Sequence, residues 1–373
     1  MGGFLFYWFT VVRLMHKKRS FFSLCLIFLF FTLVSAAAAD SGTDTKRYLP
    51  LVIHIATTPT PTPVPTPTTI PTPNPELPPQ YSTSLYMKTV NPNTLFSLGC
   101  EYGEKDQLSA GTQDNVVFLA FGKPTMNDGI YGASLFGFGP ASTDEIAEAI
   151  KQFGAGYRAC LGDDAFSHLR VAVGTSNYGD PELVSWWDHG RKWARMVNDI
   201  NKYFVDQGYF TWVDAVGASD MELAWNSPSV TRLWVEGYDY ANKYPLYNFG
   251  AAEGCPTRLA PQWQCASPWT KEDVWYISFG SGASYPMPLI YATNGVNARQ
   301  WAWLSVYAVE QHGAPMNFKG AFTQFQACQQ RGGCDLLDNT PEQGWQQLYD
   351  ELKFDERTKQ HLAWSTDIKW WGE

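Results

Sequence analysis

Several catalytic signatures are missing from this chain of 373 residues. No G-x-S-x-G elbow occurs, which argues against a serine esterase built on that strand-to-helix turn. No H-E-x-x-H stretch and no CxxC pair occur, and the six histidines stand singly, so a zinc site has no ligand pair to start from. Glycine-rich phosphate loops are also absent, and no cofactor and no metal are expected. Cationic side chains are few, with 27 Lys and Arg against 36 Asp and Glu. The first eighty residues carry six cations and three acids, so the net charge of −9 becomes −12 over residues 81–373. A surface of that sign repels phosphate backbones, and nucleic acid is not an expected partner.

The ends and the middle of the chain differ sharply in composition. The basic stretch "RLMHKKRS" precedes the apolar run "FFSLCLIFLFFTLV" and the small residues "SAAAAD". That order is the one of a secretory signal over residues 1–39, with cleavage expected after Ala39 and an uncleaved anchor as the alternative. The segment engages the membrane only for export, so the expected location is secreted or on the extracellular surface. Residues 40–80 read as a linker, and ten of the 24 prolines fall within 57–80. Alternating Thr and Pro pairs no backbone ladder and favours an extended, semi-rigid spacer. Residues 81–373 read as one domain, without a second linker or a strong repeat.

Six cysteines follow the signal: Cys100, Cys160, Cys255, Cys265, Cys328 and Cys334. An even number in an exported chain reads as disulfides. Short spacing favours Cys255 with Cys265 and Cys328 with Cys334, which leaves Cys100 with Cys160.

From residue 115 onward, strand-like and helix-like segments alternate. Strands are expected over 115–122, 168–177, 209–220, 245–254, 274–282 and 316–325. Helices are expected over 142–154, 189–208, 227–244, 297–313 and 340–352. Alternating βα units predict a parallel sheet, and the length fits a closed (β/α)8 TIM-like barrel, with an open doubly wound sheet as runner-up.

In a parallel barrel the chemistry collects at the C-terminal ends of the strands. Asp220 and Glu222 follow the strand 209–220, and Glu253 follows the next. Asp214 lies earlier in that third strand on the face of Asp220, by the period of two. Asn177, Asn248 and Gln324 are polar companions at comparable ends, and Trp225, Trp212 and Trp275 offer flat faces for sugar rings. Carboxyls held close together split into a protonated acid and an ionised base, the division that glycosidic bond hydrolysis needs. Glu222 is the expected acid/base, with Asp220 tuning its charge state or positioning the substrate and Glu253 as second carboxylate. Blander readings stand beside these. Asp220 and Glu222 fit a helix cap or a cation site, Glu253 the orientation of a disulfide loop, Asp214 a satisfied core acid, and Trp225 simple packing.

The stretches "FLAFGKP", "RVAVGTSNYG", "VGASDMELAW", "YNFGAAEGCP" and "TQFQACQQRGGCDLLDNTPEQGW" resemble exported bacterial proteins with a glycoside hydrolase-like barrel domain, over roughly 115–350. The D-x-E at Asp220 and Glu222 is similar to the strand-end D-x-E of lysozyme-type muramidases. "RYLPLV" with its Thr-Pro spacer resembles the N-terminal layout of exported Chloroflexota proteins. The resemblance implies an exported glycoside hydrolase acting on polysaccharide or peptidoglycan, or a barrel that binds glycan without cleaving it. In the muramidase-like pattern further acids stand on the first strand and on a late strand. Here the first expected strand ends Ala120-Phe121-Gly122, and the late one offers Gln324.

Overall fold

A computed structural model describes residues 77–180, 182, 185–260 and 264–372. The expected signal and all but the last four residues of the expected linker lie outside the described residues. Eleven strands are present among them: β1 (Ser82–Tyr86), β2 (Asp114–Ala120), β3 (Lys123–Asn127), β4 (Ile130–Ser134), β5 (Pro140–Ser142), β6 (His168–Ser176), β7 (Val213–Asp220), β8 (Leu246–Asn248), β9 (Ser284–Pro286), β10 (Gly320–Thr323) and β11 (Trp364–Trp370). The helices are α1 (Pro92–Leu108), α2 (Thr143–Cys160), α3 (Trp186–Asp206), α4 (Pro228–Ala241), α5 (Lys271–Trp275), α6 (Val296–His312), α7 (Phe325–Gln330) and α8 (Pro341–Leu352). None of them is long and apolar enough to cross a membrane.

Eight strands form one parallel sheet in the order β10-β11-β1-β2-β6-β7-β8-β9. The sheet nearly closes on itself. A parallel bridge joins Leu289, just past β9, to Phe322 of β10, and Ile290 N donates to Phe322 O at 2.9 Å. The result is a mixed α/β fold around a nearly closed eight-stranded parallel barrel, consistent with a TIM-like arrangement. After β2 the chain departs from the βα rhythm, and β3, β4 and β5 make a small antiparallel sheet before α2.

The long strands follow from their composition. The β2 run "DNVVFLA" turns from exposed to fully buried along its length, and β7 is buried up to Asp220. Phe118 sits inside the barrel with ring centroids 5.0 Å from both Phe249 and Phe322, so the interior is filled by side chains. A second apolar layer lies between the barrel and its helices, with Trp193, Trp234, Trp301 and Trp345 fully buried. Helix starts carry their own signals: Ser142 with Glu145 and Thr340 with Gln343 form capping boxes.

Three disulfides join Cys100 to Cys160, Cys255 to Cys265 and Cys328 to Cys334, the pairing that spacing favoured. The first ties α1 to α2 where the helices nearly touch. A Cβ on Gly99 would lie 1.9 Å from Phe153 O.

Two expectations need correction. Residues 274–282 are not a strand. They form the end of α5 and a π-helical turn, Tyr276–Gly280, started by a capping box of Thr270 with Asp273. The aromatic run imitates a strand, but the box fixes helical dihedrals first. The expected first strand is the second of the barrel; β1, β9 and β11 complete the count of eight.

Candidate functional site

The C-terminal ends of the barrel strands surround a cavity of about 530 Å³. Tyr86 of β1, Ala120 of β2, Ser176 of β6, Asp220 of β7 and Trp370 of β11 line it, together with Phe249, Tyr178 and Trp225 from following loops. The turn between β4 and β5 supplies Phe136 from above. Aromatic rings make two walls. Tyr86, Trp370 and Phe136 pack together with centroids 4.4 to 5.3 Å apart. Tyr178 meets Trp225 edge-on at 5.8 Å. Both of the latter are partly exposed, Trp225 at 38% and Tyr178 at 52%, so their faces are available to a ligand.

The carboxyls gather at this mouth because two loops are pinned there. Asn177 Oδ1 accepts from Glu222 N and its Nδ2 donates to Glu222 O, both at 3.0 Å. Trp269 Nε1 donates to Leu223 O at 2.8 Å and so fixes the stretch after Glu222. Gly250, after β8, lies against the backbone of Met221, where a Cβ would stand 2.1 Å from the Met221 oxygen. On the second loop, the Gln300 amide donates to Ala252 O and accepts from Gly254 N, bracketing Glu253. The disulfide from Cys255 closes the loop behind it.

Burial, the neighbouring Glu253 side chain and the Asp220 charge hold the Glu222 carboxyl well above the ordinary carboxylate range. Burial and then the Glu253 charge push Asp220 up as well. Asp220 Oδ1 and Glu253 Oε2 are buried without a hydrogen-bond partner. Of the three, Asp220 is the one that lines the cavity. Arrangements of this kind keep a protonated acid at neutral pH.

Two tyrosines missed by sequence reasoning complete the cluster. Burial and then neighbouring groups, the Asp220 and Glu222 charges among them, raise the phenols of Tyr86 and Tyr291. The signal for Tyr86 was the alternation in "STSLY", where Ser82, Ser84 and Tyr86 share one face. Ser82 and Ser84 both bond Thr366.

The other candidates fall elsewhere. Asp214 sits at the opposite end of the barrel, where Arg170 holds it with Nε and Nη2 at 2.9 and 2.6 Å; it is a satisfied core acid. Trp275 lies between helices, stacked on His312 at 3.4 Å. Trp212 is also at the far end, its indole donating to Asp164 O. Asn177 and Asn248 are buried and serve the backbone and a neighbour, Asn248 donating to Ser278 Oγ at 2.7 Å and accepting from Gly250 N. Gln324 donates to Leu337 O at the start of α7. The barrel's true first strand ends in Tyr86, again without an acid. The acid of its last strand, Asp367, turns outward to accept from Thr323 Oγ1 and from the N–H groups of Phe325 and Gln326.

Among the described residues, Cys100, Glu104 and Cys160 are the only group of three whose potential metal-ligating atoms lie within 4.8 Å of one another, and both cysteines are in a disulfide. No protein-family model matches the chain, and no curated protein matches it.

Proposed function

We propose that the protein is an exported TIM-barrel hydrolase that cleaves a glycan, polysaccharide or peptidoglycan, at this mouth. One observation carries the reading: Asp220 lines an aromatic-walled cavity, and burial together with the neighbouring carboxyls holds both Asp220 and Glu222 above the ordinary carboxylate range. Sugar rings present flat apolar faces to aromatic side chains, and their bonds break with the help of one protonated and one ionised carboxyl. The three disulfides and the signal-like N-terminus fit an exported chain.

The geometry changes the assignment of roles. Carboxyls that act on opposite sides of a glycosidic bond stand about 5–5.5 Å apart in retaining enzymes and about 6.5–9.5 Å in inverting ones. Of the three acids Asp220 lines the cavity, and Glu222 and Glu253 do not. They act as one unit, and Asp220 faces the substrate. In this scheme Asp220 gives its proton to the leaving oxygen as the C–O bond breaks. Water then bonds to the anomeric carbon, and its released proton returns to the carboxyl cluster. The test is turnover of peptidoglycan and common polysaccharides by the purified protein, with Asp220→Asn and Glu222→Gln beside it. Loss of at least about 100-fold in both supports the assignment, since general acid catalysis contributes about that much or more. Activity equal to the parent in both overturns it.

A second reading is favoured by one specific observation: neither the first nor the last barrel strand brings an acid to the mouth. A barrel that binds glycan without cutting it needs only the aromatic walls. Glycan binding by the parent without turnover on any substrate selects this reading.

A further inference from the structure

One cation stands in the wall of the cavity and has no part in the scheme so far. Lys123 opens β3, where the chain leaves the barrel for the small antiparallel sheet, and it lines the cavity with Tyr178, Trp225 and Asp220. Its backbone is held on both sides. Gly122 turns with a φ of 94°, a Cβ there would stand 2.2 Å from Ser134 O, and its own oxygen accepts from Thr175 Oγ1 at 3.0 Å. Lys123 itself is in register with Ser134 across β3 and β4. Among the described residues no acid pairs with its ammonium, which lies over the ring of Tyr178, 5.5 Å from the centroid. Tyr178 in turn meets Trp225, so cation and rings form one continuous wall.

Charge balance gives the position its meaning. Apart from the tyrosines, Lys123 and Asp220 are the titratable side chains that line the cavity. Burial and the Glu253 charge favour the neutral form of Asp220, so the lysine is the fixed charge of this wall. The domain is strongly acidic, and still none of its carboxylates is set against this ammonium. A neutral sugar that covers an unpaired ammonium strips water from it and returns no charge. A carboxylate replaces that water with a charge-assisted hydrogen bond. A saccharide lying along Trp225 and Tyr178 meets the lysine at the edge of the aromatic wall, and it gains most there if the sugar is itself an acid.

We propose that Lys123 is a specificity-determining residue that pairs with the carboxylate of an acidic sugar held against Tyr178 and Trp225, so that the glycan taken at this mouth is anionic rather than neutral. This role rests on the glycan reading of the site and narrows it. The same carboxylate chemistry is offered by the uronic acids of acidic polysaccharides and by the lactyl acid of peptide-free peptidoglycan strands, and matched ligands separate the two sources.

The experiment is calorimetric binding by the purified protein of two matched pairs: an oligouronate with its carboxyl-reduced counterpart, and a peptide-free muramic acid oligosaccharide with its carboxyl-reduced form. Parent, Lys123→Gln and Lys123→Arg are compared at low and high salt. In at least one pair the acidic member is expected to bind the parent about tenfold more tightly than the neutral one, the scale of one partly exposed charge-assisted bond. Lys123→Gln removes that preference and leaves the affinity for the neutral member unchanged. Lys123→Arg keeps the preference, and salt weakens it. The pair that shows the effect identifies the source of the carboxylate. On any member that the parent cleaves, the preference appears in KM rather than in kcat. Equal affinity for acidic and neutral members in the parent overturns the proposal and leaves the glycan reading standing, as does a preference that survives in Lys123→Gln. Binding of no saccharide of either kind removes both.

Discussion

Asn177 grips both backbone polar groups of Glu222 with one side-chain amide, accepting from its N–H and donating to its carbonyl at 3.0 Å each. The contact joins the end of β6 to the loop after β7. It sets where the acid can be, although Asn177 itself is almost fully buried and does not line the cavity.

Asn177→Ala strands the Glu222 N–H and the Thr231 hydroxyl, which bonds the same amide. At about 1–3 kcal/mol for each buried group left unsatisfied, unfolding in urea is expected at a clearly lower midpoint, with turnover lost at temperatures where the variant is still folded.

The raised carboxyls make stability depend on pH in a defined sense. Asp220 and Glu222 hold their protons more tightly in the folded chain than in the unfolded one. Their contribution is fully present below the unfolded carboxylate pKa of about 4 and is lost as pH rises through the folded values. Each unit of upward shift costs about 1.4 kcal/mol once that range is passed. Glu222→Gln removes one such group, so the variant is expected to be more stable than the parent at pH 8 and equal to it near pH 4. Denaturant titrations at the two pH values check this.

Gly250→Ala places a methyl group against the Met221 backbone. Met221 lies between Asp220 and Glu222, so relief of the clash moves the acids. A stability loss of about 1–3 kcal/mol is expected, together with a fall in turnover far larger than that loss explains. Unfolding midpoints and rates measured on the same preparation separate the two effects.

Asp214→Asn is the control from the other end of the barrel. It breaks the two-pronged contact with Arg170, whose side chain is 26% exposed. A loss of about 3 kcal/mol, the low end for a broken buried pair, is expected in denaturant unfolding. The rate per folded molecule stays the same.

Much of this was legible in the residues. The runs that became β2, β6 and β7 are long and apolar enough to read directly, and Asp220, named from its strand end, lines the mouth. What failed was depth. A period of two places Asp214 and Asp220 on one face, but six residues of strand separate them by about 20 Å, so one closes the bottom of the barrel and the other opens on its mouth. Strands β1 and β11 were hidden because their inward positions are Ser82, Ser84 and Thr366, polar groups that satisfy each other. Without that partner 284 residues away, "STSLY" looks like a loop. Trp275 misled for the opposite reason, since its aromatic neighbourhood suits a strand and a helix equally.

The pairing of β1 with β11 also bears on the order in which the chain can fold. The seam between them joins residues about 280 positions apart, and contacts of such separation form late because loop closure must come first. A chain emerging from a ribosome has no β11 to offer until most of it has appeared. The barrel therefore stays open through synthesis, and the Tyr86 side of the mouth is assembled last.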